Sequence, residues 1–184
     1  MKTIRNDEQK GFAGACKVGY ELGESPYVCF LNSDCLIEDI AWLKHMGESL
    51  LALKSQNVRM VSATMNNPVG GDPAQKGERF KYGDEDVIIS DDSFLSLSCF
   101  MCHRELFNKI GGFLKEYRYG YYEDEEIAAR MRKFGYKQAV AKKSYVHHEG
   151  QKTIKSVQRN NPDIRKIMEE ENRQRCIEDM KRLK

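Results

Sequence analysis

Residues Tyr27-Val28-Cys29-Phe30-Leu31 form an unbroken apolar run that stops abruptly at Asn32-Ser33-Asp34-Cys35. A continuous apolar run of this length predicts a strand buried on both faces, the kind found in α/β sheets covered by helices. In open sheets of that class the crevice beyond the carboxyl ends of the strands holds ligands, which places Asp34 where a ligand would sit. A carboxylate there is costly to desolvate unless it meets a cation, and a hard divalent ion carrying phosphates is a common partner. The triplet alone supports a second reading equally well, in which Asn32 and Ser33 form a turn and Asp34 caps the next helix.

Composition narrows the class without naming the chemistry. The 184 residues are 40% hydrophobic and 32% charged, enough for one domain with its own core. Thirty basic against twenty-eight acidic side chains leave a net charge of +2, too little global field to argue for nucleic acid or an anionic membrane. No apolar stretch reaches membrane-spanning length, and Met1 to Glu8 lacks an apolar signal core. The expectation is a soluble chain that works in the cytoplasm or at the periphery of a membrane. The six cysteines fall in apolar runs (Cys29, Cys99), beside the proposed site (Cys35) or on a charged helix (Cys176), and read as reduced thiols. Cys99 and Cys102 have redox or metal spacing, but no second pair accompanies them and their run is strand-like, so they read as core.

Along the chain, Gly11 to Leu22 predicts a helix that feeds a central strand over Tyr27 to Leu31 through the Gly23 to Pro26 turn. Ile37, Ile40, Leu43, Leu50 and Leu51 recur at roughly helical spacing, and Val58 to Ser62 reads as the next strand of a βαβ unit, hence a parallel sheet. The Gly-, Pro- and Asn-rich stretch from Met65 to Gly83 predicts a loop close to substrate. Strands are expected over Val87 to Ile89 and Phe94 to Met101, and a short helix over His103 to Ile110 stopped by Gly111-Gly112. A helix after Tyr122 carries Ile127, Met131 and Phe134 on one face and ends at Gly135, and a strand region follows over Gln138 to Val146. Residues 1–152 form the expected domain, and 153–184 a charged helical segment packed on it by a thin apolar stripe.

Two further constellations could carry chemistry. Glu123-Asp124-Glu125-Glu126 opens a helix, where acids complement the positive end of the dipole, so plain capping explains them when taken alone. The preceding Tyr117-Arg118-Tyr119-Gly120-Tyr121-Tyr122 is less bland, because aromatic faces beside a carboxylate suit stacking on a sugar and can raise an acid's pKa. His147-His148-Glu149 leaves a strand end, where an imidazole is a common metal ligand, although surface histidines are more often only that.

Taken in order, these segments resemble a known family. Gly11 to Gly19 is similar to the glycine-rich segment of GT-A glycosyltransferases of family 2, and Phe30-Leu31-Asn32-Ser33-Asp34 resembles that family's metal-binding triplet. Ile110-Gly111-Gly112-Phe113, Glu123-Asp124 and Arg130 to Tyr136 resemble the segment bearing its catalytic acid, and Tyr145 to Gly150 its late metal-binding histidine. The resemblance implies a Rossmann-like α/β architecture with a mostly parallel sheet flanked by helices, and transfer of a sugar from a nucleotide-sugar donor to an acceptor hydroxyl with inversion. It implies Mn²⁺ or Mg²⁺ held by Asp34 and His147, the choice between His147 and its neighbour His148 being left open, and donor contacts from Asn32, Ser33, Asp34, Gly11 and Lys17. Asp124 would be the base, with Glu123 beside it. The acceptor would be a glycan or lipid-linked sugar, as in cell-wall or polysaccharide biosynthesis.

Three departures accompany the likeness. Asn32 is neutral where many members carry an acid, and Leu114 follows Gly-Gly-Phe where an acid is frequent. About ten residues precede the glycine-rich segment, so the strands that cradle the nucleotide base in the family are expected to be missing, leaving a sheet edge open to self-association. A chain that keeps the fold without catalysis is therefore the alternative reading, completed or not by another chain. A nucleotidyltransferase-like α/β domain is a third, which has no need of the Glu123-Asp124 and His147 elements.

Overall fold

The structure is a computed structural model that describes residues 3–8, 10–79, 81, 83–113, 117, 119–150, 159 and 163–183. Helix α1 (Gly11–Glu21) leads into β1 (Tyr27–Leu31), a tight turn and β2 (Cys35–Leu36). Then come α2 (Trp42–Ala52), β3 (Val58–Met65), β4 (Val87–Ile88), β5 (Cys99–His103), α3 (Arg104–Ile110), α4 (Glu123–Lys133) and β6 (Lys137–His148). A short helix α5 (Asp163–Lys166) runs through a π-helical turn into α6 (Asn172–Leu183). Leu114 and Arg118 lie outside the described residues.

The strands form one mixed sheet in the order β1-β5-β3-β6-β2, with β4 also paired to β6. A parallel pairing lies at the centre, between β3 and β6, whereas β5 inserts antiparallel between β1 and β3, and β2 and β4 run antiparallel to β6. The βαβ unit from β1 through α2 to β3 thus keeps its direction but not adjacency. Its two strands are separated by one that comes later in the chain. Pairing partners chosen across 40 residues leave no mark on local periodicity.

Helices cover both faces. On one face Phe30, Phe100, Phe107 and Phe113 interlock, with Phe30 stacked on Phe100 at 4.7 Å and Phe107 tilted against Phe113 at 4.9 Å, against Ala13 of α1, Leu106 of α3 and Ile127 and Met131 of α4. On the other, Met46 and Leu50 of α2 cover Val61, Ala63, Cys99, Met101, Ala139 and Val146. The alternation along β5 sends Cys99 and Cys102 to opposite faces, so they cannot act as a pair, and the cysteines are free thiols.

Three local expectations change. β1 lies at the end of the strand order among the described residues, with only Phe30 fully buried and Leu31 exposed, so the run that looked central is an edge. An apolar run states that a strand has covered faces but not that it has two neighbours. Helix α2 begins at Trp42, leaving Ile37 and Ile40 outside it and exposed. Of the stretch expected as a strand over Phe94 to Met101, 94–98 is irregular chain, buried from Leu95 on, and pairing begins at Cys99. The Gln75 amide holds that chain, donating to Ser62 Oγ at 2.7 Å and Ser96 O at 3.1 Å while accepting from Ser96 N–H at 2.7 Å. Helix α3 stops where expected, at Gly111 with φ +85°.

Candidate functional site

The apolar run of β1 ends in a turn closed by Cys35 N–H to Asn32 O at 3.1 Å, so Asn32-Ser33-Asp34 leads into β2 rather than capping a helix. β2 pairs with the last residues of β6, Cys35 opposite His148 and Leu36 opposite His147, and Glu149 N–H to Asp34 O at 3.0 Å extends the ladder. Directly opposed residues of an antiparallel pair share a face. Asp34, Cys35 and His148 accordingly converge, each presenting a ligand atom within 4.8 Å of the others. The imidazole beside Asp34 is His148, at 3.4 Å from Nε2 to Oδ1, and not His147.

The reason lies in a break in β6. Ala139 and Ala141 point to the α2 face, but between Ala141 and Tyr145 the pairing to β3 skips three residues, so Val146 points there next. An odd interruption inverts the alternation. His148 thereby shares the face that Cys35 packs against, and His147 is turned from it.

The surroundings of His148 place a proton on one ring nitrogen. Nδ1 lies 2.7 Å from Asn67 O, and because a carbonyl only accepts, Nδ1 carries the hydrogen. Asn66 holds the backbone on either side, accepting from His148 N–H at 2.7 Å and donating to His148 O at 3.1 Å. With Nδ1 so occupied, Nε2 is the nitrogen turned toward the Asp34 carboxylate at 3.4 Å, where either a proton on the ring or a cation between the two groups satisfies both. Carboxylate, imidazole and thiol with a carbonyl behind the imidazole is the donor set of a divalent-metal site, so the residues present fit such an ion. Cys35 donates its thiol hydrogen to Ser98 O at 3.4 Å, and burial and the Asp34 charge push the thiol up to about 12.

The second centre is the start of α4. Tyr119, Gly120, Tyr121 and Tyr122 precede it with φ of 67°, 130°, 78° and 73°, successive residues in a region that costs non-glycine residues roughly 1–2 kcal/mol each. Tertiary contacts hold this loop. The Asn172 amide of α6 donates to Gly120 O at 2.8 Å, and the Tyr117 hydroxyl donates to Asp179 at 3.2 Å. Gly11 approaches so closely that an added Cβ would lie 2.7 Å from Tyr119 N. Behind it, buried Arg130 pairs with Glu126 and donates to Ile110 O and, at 2.7 Å, to Gly112 O, tying α4 to the Gly-Gly turn.

Glu123 is buried, with Oε2 lacking a hydrogen-bond partner among the described residues, and burial raises its pKa to about 7. Half-buried Asp124 accepts from Leu97 N–H, but burial first and the Glu123 charge second push its carboxyl upward. The two centres meet through one dipeptide. Leu97 N–H reaches Asp124, while Ser98 O accepts from Asn32 N–H at 2.8 Å and from the Cys35 thiol. Residues 97–98 carry no chemical signature and were invisible in the sequence.

The other anticipated donor contacts are placed as follows. Asn32 is half-buried and Ser33 exposed at the turn, while Gly11 packs on the loop before α4. Lys17 forms a loose exposed pair with Glu21 at 3.9 Å and is not brought to Asp34 by any contact among the described residues.

No family model matches the sequence, and no characterised protein matches it at sequence level. Solved structures do match its fold. One is the crystal structure of GalNAc-T7 with UDP, GalNAc and Mn²⁺, at a TM-score of 0.60 and 16% identity over 79% of this chain and 31% of that one. The fold is GT-A-like. The chain spans about a third of that transferase, and the likeness concerns the arrangement of sheet and helices. Within this GT-A-like frame the Asp34 turn and the start of α4 lie on either side of the Leu97-Ser98 strap. Among the described residues no helix is long and apolar enough to cross a membrane.

Proposed function

We propose that this chain is a metal-dependent glycosyltransferase domain of the family-2 kind, moving a sugar from a nucleoside-diphosphate donor to a hydroxyl of a glycan or lipid-linked acceptor with inversion. The observation that carries the reading is the pairing of a metal-type carboxylate and imidazole with a raised-pKa acid pair through residues 97–98. The GT-A-like fold supports it. Asp34 and His148 would hold the ion, which supplies positive charge against the departing diphosphate. Asn32 and Ser33 at the mouth of the turn would contact the donor. Asp124 takes the proton of the attacking hydroxyl, and the upward shift from its burial makes it a stronger base than an ordinary carboxylate. Buried Glu123, uncharged below about pH 7, keeps a second negative charge away from that base as it ionises. One in-line displacement leaves the anomeric centre inverted. Work in the cytoplasm or at a membrane periphery accords with this reading.

Isothermal titration of UDP and of dTDP, with and without Mn²⁺, is the test. Binding that needs both the ion and Asp34, and disappears in Asp34→Ala, is expected. Absence of metal-linked binding for every nucleoside diphosphate tried would overturn the reading. Binding with no donor hydrolysis or transfer would favour a chain that keeps the fold and the site without turnover.

A further inference from the structure

We infer that Cys35 is a third ligand of the Asp34–His148 site, so that the site favours a borderline-soft divalent ion such as Zn²⁺ over Mg²⁺ or Mn²⁺. The argument is one of register. Cys35 stands directly opposite His148 in the β2–β6 pair and next to Asp34 in the chain, and all three ligand atoms lie within 4.8 Å of one another. The same inversion of alternation that brings His148 to this face brings it to the thiol.

Donor type then selects the ion. Hard Mg²⁺ and Mn²⁺ prefer oxygen and leave a thiol idle, whereas carboxylate, imidazole and thiolate together suit zinc. Three protein ligands with one position left open is the composition of reactive rather than structural zinc sites. The contact given up is small, because an S–H donor is weak and its acceptor, Ser98 O, keeps the bond from Asn32 N–H. On coordination the thiol proton goes to solvent. His148 needs no rearrangement, since Asn67 O already leaves Nε2 as the free nitrogen.

This inference deepens the metal-site part of the proposed function, but its readouts need neither nucleotide nor turnover. Co²⁺ titrated into the reduced protein should give the near-ultraviolet thiolate-to-cobalt charge-transfer absorption, displaced by Zn²⁺. It should be lost in Cys35→Ala and kept in Cys29→Ser, a neighbouring thiol outside the trio. Zn²⁺ affinity should fall roughly tenfold or more in Cys35→Ala, while Mn²⁺ affinity changes less than about threefold. Cys35→Ser repeats the comparison if alanine unsettles the short strand, and the wild-type spectrum stands without either variant. No thiolate absorption in the wild type, or equal Zn²⁺ affinity with and without Cys35, would overturn the inference. Thiolate absorption without metal-linked nucleotide binding would overturn the glycosyltransferase reading and leave Cys35 as a ligand. Mn²⁺-linked UDP binding without that absorption would do the reverse.

Discussion

Asp34 and Glu123 are both carboxylates near the Leu97-Ser98 strap, yet their surroundings ask opposite things of them. Asp34 faces an imidazole nitrogen and a thiol, and its turn is locked between two antiparallel pairings. A cation between these groups satisfies them together. Among the described residues the Glu123 Oε2 has no hydrogen-bond partner, and burial holds its carboxyl protonated up to about pH 7. The supports differ as well: a ladder of β6 hydrogen bonds fixes the first, while a left-handed loop clasped by Asn172 and Gly11 fixes the second. What a carboxylate does is thus decided by what is turned toward it, and two acids of one chain can be kept at separate tasks a few residues apart in contact.

The sharpest way to separate the two centres is to disable the base alone. Asp124→Asn should lower transfer or donor hydrolysis by roughly 10²–10⁴-fold while leaving UDP–Mn²⁺ binding within about threefold, read by kinetics and titration on one preparation. Equal loss of binding would merge the centres.

Next in size is the pH dependence of stability. A folded-state pKa of about 7 against an ordinary 4.5 means the protonated form is favoured in the fold, so this stability is present below about pH 4.5 and is lost as pH rises through about 7. The full difference is about 3 kcal/mol. Glu123→Gln should flatten that part of a urea-unfolding series between pH 5 and 8 and move the alkaline-rising limb of activity to lower pH, since the Glu123 charge no longer opposes ionisation of Asp124. An unchanged slope would show that Glu123 is solvated in the working protein.

At the metal centre, His148→Ala should weaken metal-linked binding roughly 10–100-fold and His147→Ala less than about twofold, measured by the same titration. Reversed sensitivities would mean that the break at 142–144 does not set the register. The smallest effects are expected in the supports. Asn66→Ala, which frees the backbone of His148, should cost about tenfold in metal affinity. Asn172→Ala, which leaves Gly120 O without its donor, should cost about 1–2 kcal/mol in stability and raise hydrogen exchange over 119–126.

Much of this architecture could be read from residues in order. The α/β class, helices α1, α3 and α4 and the glycine that stops α3 follow from periodicity and from φ requirements that only a few residues tolerate, both local properties. The placement of Asp34 beyond a strand and of Glu123-Asp124 at a helix start follows in the same way. The edge position of β1 and the insertion of β5 do not, because strand order is a choice among partners far apart in sequence. Nor does the strap at 97–98, whose contribution is made by backbone groups that every residue possesses.

His147-His148 shows the division most clearly. Residue order alone states that an imidazole leaves a strand end and that two adjacent histidines there point to opposite faces. Which one meets Asp34 was decided only when β6 paired with β3 and skipped three residues, inverting its alternation and bringing His148, and with it Cys35, to a common face. Alternation has a period of two, so a single odd interruption reverses every assignment after it, and that interruption belongs to the pairing of two strands rather than to either one.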